Sequence, residues 1–261
     1  MTFEVKWKGN DSTNWSERKD SAGISYVPFI IVNHISAGTM SSMDNWFTSP
    51  NNNVSSAHFG VSKDGRIHQY VDIRKMAWAN GSYVDNYPTD PAPVLADMKH
   101  KNCNLYSVSI EHEGTDGNLT DIQFQASVWL HHYIREQIME IWGKEKWFPF
   151  DEYHVLGHFQ IAKNKPSCPG KYFPWNQLYK TLKEENKGDD DEMKLELWQW
   201  TMLGDAITGL SQQVQTNGEP IISYEWAEKA YKQEMTSSEA LFMVMVSLAR
   251  AKGITVELRN Q

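Results

Sequence analysis

The sequence predicts an α/β protein: a mixed central sheet flanked by helices, followed by a small, mainly helical C-terminal module. Three observations predict it. The run from Tyr26 to Asn33 is β-branched and aromatic enough to be a buried strand. A long amphipathic stripe follows Thr120. The stretch from Lys183 to Glu192 holds no apolar residue, and helical periodicity resumes beyond it.

The elements follow in order. Ser56–Val61 and Arg66–Val71 flank Lys63-Asp64-Gly65, and Asp-Gly between two such runs signals a hairpin. Tyr106–Glu111 alternates and reads as another strand. Thr120-Asp121-Ile122-Gln123 forms a capping box, and Ile122, Ala126, Trp129, Tyr133, Ile134, Ile138 and Ile141 recur at helical spacing until Gly143. Tyr153–His158 reads as a short strand or turn, and Trp175–Leu182 as a closing helix. The domains are therefore 1–183, an acidic linker 184–192, and a second unit 193–261 with periodicity in Leu195–Leu210, Tyr224–Tyr231 and Ser237–Lys252. So small a unit has a marginal core, so self-association through 193–261 is expected. Met193 stands as a candidate internal start.

Composition bounds the function. The chain has 261 residues, 40% hydrophobic and 12% aromatic, enough for a sizeable core. A net charge of −8 argues against gripping nucleic acid through a general basic surface. No apolar run approaches a membrane span, and the opening MTFEVKWKGN does not read as a secretory signal, so a cytoplasmic protein is expected. Of the two cysteines, Cys103 reads as a free buried thiol.

Chemistry concentrates in His34, at the end of the first strand, and in Gly157-His158 and Ser167-Cys168-Pro169-Gly170. Two imidazoles and a thiolate are borderline-to-soft ligands that leave a fourth tetrahedral position for water, the layout of catalytic zinc. Spacing alone leaves the alternative open, since isolated histidines more often fill cores or sit on surfaces.

The ordered set Val32-Asn33-His34, Ser56–Val61 with Asp64-Gly65 and Gln69, Ala77-Trp78, Ser109-Ile110-Glu111, Gly157-His158 and Cys168-Pro169-Gly170 resembles the type 2 N-acetylmuramoyl-L-alanine amidases, a family that includes phage endolysins and is related to peptidoglycan-recognition proteins. The resemblance implies that His34, His158 and Cys168 bind Zn2+ and that Glu111 takes the proton of the attacking water. Glu113 shares a strand face with Glu111 and is a second carboxylate candidate, or else a supporting or solvent-facing charge. His112 on the opposite face, and His68, His100, His131 and His132, are read as structural or surface groups.

Some relatives carry a basic residue two positions before the cysteine; here that residue is Pro166, and Lys165 is the candidate one step away. Where some relatives have a tyrosine before the histidine of the second strand, this chain has Ala57. His58 either lines the substrate cleft or fills core, and Trp78 and Asn80 are candidates for a glycan or peptide groove, with core packing the alternative for Trp78. The implied activity is hydrolysis of the muramoyl–L-alanine amide of bacterial peptidoglycan. Domain order suggests an endolysin that waits in the host cytoplasm for holin-type permeabilisation, its second unit binding wall. The alternatives are a cytoplasmic peptidoglycan-recycling amidase and a non-catalytic recognition protein.

Overall fold

The computed structural model describes residues 2–81, 86–185, 195–214, 218 and 220–252. The chain divides into two compact units, Met1–Lys183 and Glu184–Gln261.

The first unit is built on a six-stranded sheet in the order β1 (Val5–Trp7), β5 (Ile67–Gln69), β4 (Phe59–Val61), β7 (Ser107–His112), β3 (Ile30–Ile35), β8 (Val155–Gly157). Within it only β4 and β5 pair antiparallel; the other neighbours run parallel. Parallel strands need cover on both faces, and β3 complies: every residue from Ile30 to His34 is buried. Gly65, at φ +85°, turns the hairpin between β4 and β5, where a β-carbon would meet the side chain of Ile122 at 2.7 Å. A two-stranded ribbon, β2 (Ser16–Glu17) with β6 (Lys75–Met76), completes the sheets.

Among the helices of this unit, α1 (Met40–Phe47) and α2 (Pro93–Asp97) are short, whereas α3 runs Asp121–Trp142 and α4 runs Trp175–Glu185. Helix α3 packs Ala126, Ile134 and Ile138 onto Ile31, Phe59, Val108 and Ile110 of the sheet. Its buried surface is wider than the expected stripe, because Phe148 and Phe150 join the same core. Gln123, Ser127, Leu130 and His131 are buried too, while Trp129 and Tyr133 stack at the edge with ring centroids 5.2 Å apart. The expected capping box is half formed. Thr120 Oγ1 accepts from the Gln123 amide at 3.2 Å, but the Gln123 side chain turns away and donates to the carbonyls of Val61 and Glu113.

The second unit holds α5 (Leu197–Ser211), α6 (Glu225–Tyr231) and α7 (Ser237–Ala251). Trp200, Ile207, Ile222, Ala227, Ala230 and Met243 form its core. Gly204 lets the Tyr231 ring lie against α5, at a place where a β-carbon would stand 2.4 Å from that ring. Thr236 and Glu239 cap α7 reciprocally. Helix α7, apolar nearly all round in sequence, buries Met243 and leaves Leu241, Phe242, Met245 and Leu248 exposed. Glu184 and Glu185, the first residues of the expected acidic stretch, continue α4. The rest of that acidic stretch, and Met193, lie outside the described residues. Among the described residues no helix is long and apolar enough to cross a membrane.

One residue ties the ribbon to the main sheet. Arg18 is buried, and burial pushes its guanidinium down to about 9. It donates to the carbonyls of Ile73 (2.9 Å), Asn104 (3.0 Å), Leu105 (2.8 Å) and Ser107 (2.9 Å). Arg18→Met removes the donors and leaves buried carbonyls unsatisfied. We expect a loss of at least about 3 kcal/mol in urea unfolding, against under about 1 kcal/mol for the exposed Arg74→Met.

Candidate metal centre

The register of β3 against β7 places His34 opposite Glu111, with Asn33 opposite Ile110 and Gly157 of β8. Aligned residues of neighbouring strands share a face, so His34 and Glu111 emerge together, and His158 follows directly where β8 ends. All three stand at the carboxyl ends of parallel strands, where open α/β sheets form their clefts.

The third contributor comes from a loop. Cys168 N donates to Lys165 O at 3.2 Å, and Cys168 O accepts from Phe159 N at 2.9 Å. Gly170, at φ +124°, lies so close to the loop at Asp116 that a β-carbon would stand 2.2 Å from the Asp116 carbonyl oxygen. That contact braces the loop and leaves Cys168 Sγ 3.3 Å from the Ile35 amide. One ligand atom from each of His34, His158 and Cys168 thus gathers, all within 4.8 Å of one another, the two Nδ1 atoms being 2.9 Å apart.

The donor set fits a soft divalent cation. His158 Nε2 lies 2.9 Å from the Asn80 carbonyl, which can only accept, so Nε2 carries the proton and Nδ1 is a bare lone pair. His34 Nε2 is 3.1 Å from Asn80 Oδ1, which leaves its Nδ1 bare as well. The two bare nitrogens face each other at 2.9 Å, an arrangement that a shared cation would relieve. Burial, and then the neighbouring His158, push the His34 imidazole well below its ordinary range, and burial brings His158 to about 4, so both rings are neutral, the form that binds a metal. Burial, with Glu111 next, pushes the Cys168 thiol up to about 12; a cation would be needed to draw out the thiolate.

Glu111 lies beside this cluster, Oε1 being 3.9 Å from His34 Nδ1. Its other carboxylate oxygen is buried and without a partner. Burial raises this carboxyl to about 7, with the Lys165 charge pulling the other way. An acid so placed can hold or release a proton near neutrality.

A cleft of about 830 Å³ opens over the cluster, its walls including Trp46, Trp78, Asp116, Lys165 and Lys171. Both indoles are anchored by their N–H groups, Trp46 to Ser55 Oγ at 2.9 Å and Trp78 to Ser16 Oγ at 2.8 Å. Trp46 was not visible from sequence, because the Ser- and Met-rich segment of α1 carries no clear helical periodicity.

Three of the candidate site residues lie away from the cleft. His58 is buried just before β4, with Arg18, Ser109 and the Lys75 carbonyl around its ring, and does not line the cleft. Glu113 lies past the end of β7 and accepts from the Lys63 amide, part of the hairpin rather than of the cluster. Asn80 is wholly buried behind the histidines. His112 props the centre from below, Nδ1 meeting the His34 carbonyl at 3.0 Å and Nε2 meeting Ser127 Oγ at 2.8 Å.

Fold and site define a class: α/β proteins with two histidines, a cysteine and a carboxylate at the carboxyl edge of a mixed sheet. The sequence profile of the N-acetylmuramoyl-L-alanine amidases matches residues 25–171, and the chain belongs to this family. Relatives include the 1,6-anhydro-N-acetylmuramyl-L-alanine amidase AmpD of Haemophilus influenzae, 28% identical over 49% of this chain and 59% of its own. The enzyme of the same name from Salmonella typhimurium is 34% identical over 46% of this chain and 53% of its own. The chain thus spans little more than half the length of these curated relatives. Similar solved structures include a selenomethionine derivative of AmpD (TM-score 0.48, 22% identity, 70% of this chain and 99% of that one). The amidase LysC from Clostridium intestinale is another (TM-score 0.43, 17% identity, 70% and 99%).

The raised Glu111 carboxyl has a consequence for stability. In metal-free protein the folded state prefers the protonated acid, so ionisation costs stability as pH rises from the unfolded value near 4.5 through about 7. Glu111→Gln is therefore expected to be more stable than the parent at pH 8, by on the order of 2 kcal/mol, with the gap closing by pH 5. Chelator-treated samples melted across this pH range provide the check.

Proposed function

We propose that this chain is a zinc-dependent amidase that hydrolyses the bond between the lactyl group of N-acetylmuramic acid and L-alanine. The observation that carries the reading is the convergence of His34, His158 and Cys168 beside the partnerless Glu111 oxygen, at the floor of one cleft.

His34, His158 and Cys168 would hold the ion, which when bound supplies Lewis acidity and makes water acidic enough to attack near neutral pH. Glu111 accepts a proton from the water as its oxygen bonds to the amide carbon. The same carboxyl then delivers that proton to the L-alanine nitrogen as the carbon–nitrogen bond breaks, leaving a carboxylate on the sugar and a free peptide amine. Lys165, on the cleft wall, brings a positive charge toward the oxygen that becomes negative. Trp46 and Trp78 offer fixed aromatic walls against which a sugar ring can stack.

For the substrate, a soluble 1,6-anhydromuropeptide is better supported than the lytic role that domain order suggested. The curated relatives are named for that substrate. The wall-degrading reading keeps one supporting observation: Trp198, Tyr224 and Tyr231 of the second unit are exposed, although Trp200 is core. An endolysin would use such a unit to stay on polymeric wall.

Mass spectrometry after digestion separates the readings. We expect stem peptides with free L-alanine amino termini from anhydromuropeptide, and none after chelation. Faster release from polymeric peptidoglycan would restore the lytic reading; a glycosidic cut, or chelator-resistant cleavage, would overturn the amidase one. Glu111→Gln should lower kcat by about 10²–10⁴-fold while retaining zinc.

A further inference from the structure

Asn80 was expected in the substrate groove and is instead buried, and each of its polar atoms has a partner. Its backbone N–H donates to Asn104 Oδ1 at 2.9 Å, and its carbonyl accepts from His158 Nε2 at 2.9 Å. Its Oδ1 accepts from His34 Nε2 at 3.1 Å, and its Nδ2 donates to Ser107 Oγ at 2.8 Å. Asn104 is itself fixed, since its carbonyl accepts from the buried Arg18. A single residue therefore touches the outer nitrogen of both ring ligands while the inner nitrogens face the shared site.

We propose that Asn80 is a positioning residue for the metal centre, holding His34 and His158 in the tautomer whose Nδ1 is free to bind the ion. The inference rests on the metal reading given above. The carbonyl carries no hydrogen, so the His158 contact is satisfied only by the Nε2–H tautomer. The side-chain oxygen does the same for His34. An imidazole without such an acceptor divides between two tautomers and two ring orientations, and part of the population presents N–H to the metal. Outer hydrogen-bond partners of this kind typically change metal affinity about 10–100-fold when lost. The two contacts separate cleanly under mutation: Asn80→Ala keeps the carbonyl and deprives only His34, whereas Asn80→Asp keeps an acceptor oxygen for both.

The experiment is zinc affinity by chelator competition for the parent, Asn80→Ala and Asn80→Asp, with thermal melting of the metal-free proteins alongside. We expect zinc bound about 10–100-fold more weakly by Asn80→Ala and within about threefold of the parent by Asn80→Asp. Equal affinity for parent and Asn80→Ala, or equal weakening in both variants, would overturn the assignment. A parent protein that takes up no zinc would overturn the metal reading itself, and this inference with it. The tautomer can also be read without any variant at Asn80. Long-range 1H–15N spectra of the metal-free parent, with the His34 and His158 signals assigned, should show the proton on Nε2 of both rings. A His34 signal with the proton on Nδ1 contradicts the proposal even if the variants fail to fold.

Discussion

The site depends on the parallel pairing of β3 with β7 on one side and β8 on the other. Because the register sets His34 against Glu111 and Asn33 against Gly157, three groups from distant parts of the chain end at one edge with no adjustable loop between them and the sheet. A slip of one residue along β3 would turn His34 to the opposite face, and the cluster would vanish. The core guards against that slip, since Ile31 packs into the α3 side of the sheet while Ile30 and Val32 pack into the other.

Polar groups then refine what the register places. Behind the histidines runs a buried chain from Arg18 through Asn104 to Asn80, and beneath them one from Ser127 through His112 to the His34 backbone. Buried polar groups cost free energy unless paired, so a chain in which each contact supports the next favours one geometry over its neighbours. Glu111 departs from this pattern, as do the buried Asn33 Oδ1 and Gln123 Oε1. The unpartnered Glu111 oxygen is a local destabilisation of the kind found where chemistry is done.

Much of this was legible in the sequence because it is local. A run of apolar residues ending in histidine reads as a buried strand delivering a side chain to its end, and the Asp-Gly hairpin and the Thr120 helix start follow from short-range rules. The contacts of Asn80 were not legible, because they depend on where a loop passes behind two histidines from other segments; the motif context suggested only a groove residue. Cleft or core could not be decided for His58 for a similar reason. A histidine beside an apolar strand looks the same whether a cleft or an arginine lies over it, and Arg18 sits in an N-terminal stretch whose strands are too short to show periodicity. Of the two readings of Glu113, that of a second carboxylate at the cluster fails because β7 ends at His112, so the alternation of faces no longer applies. The second unit showed its helices but not which aromatics it buries, since Trp198 and Trp200 differ only in phase on one helix.

The proposed chemistry requires that two imidazoles and one thiolate share a zinc ion. X-ray absorption at the zinc edge of the stoichiometrically loaded protein tests it most directly. One sulfur is expected at about 2.3 Å and the remaining ligands at about 2.0–2.1 Å, two of them imidazole nitrogens. A spectrum lacking sulfur, or a protein that retains no zinc after dialysis, would contradict it.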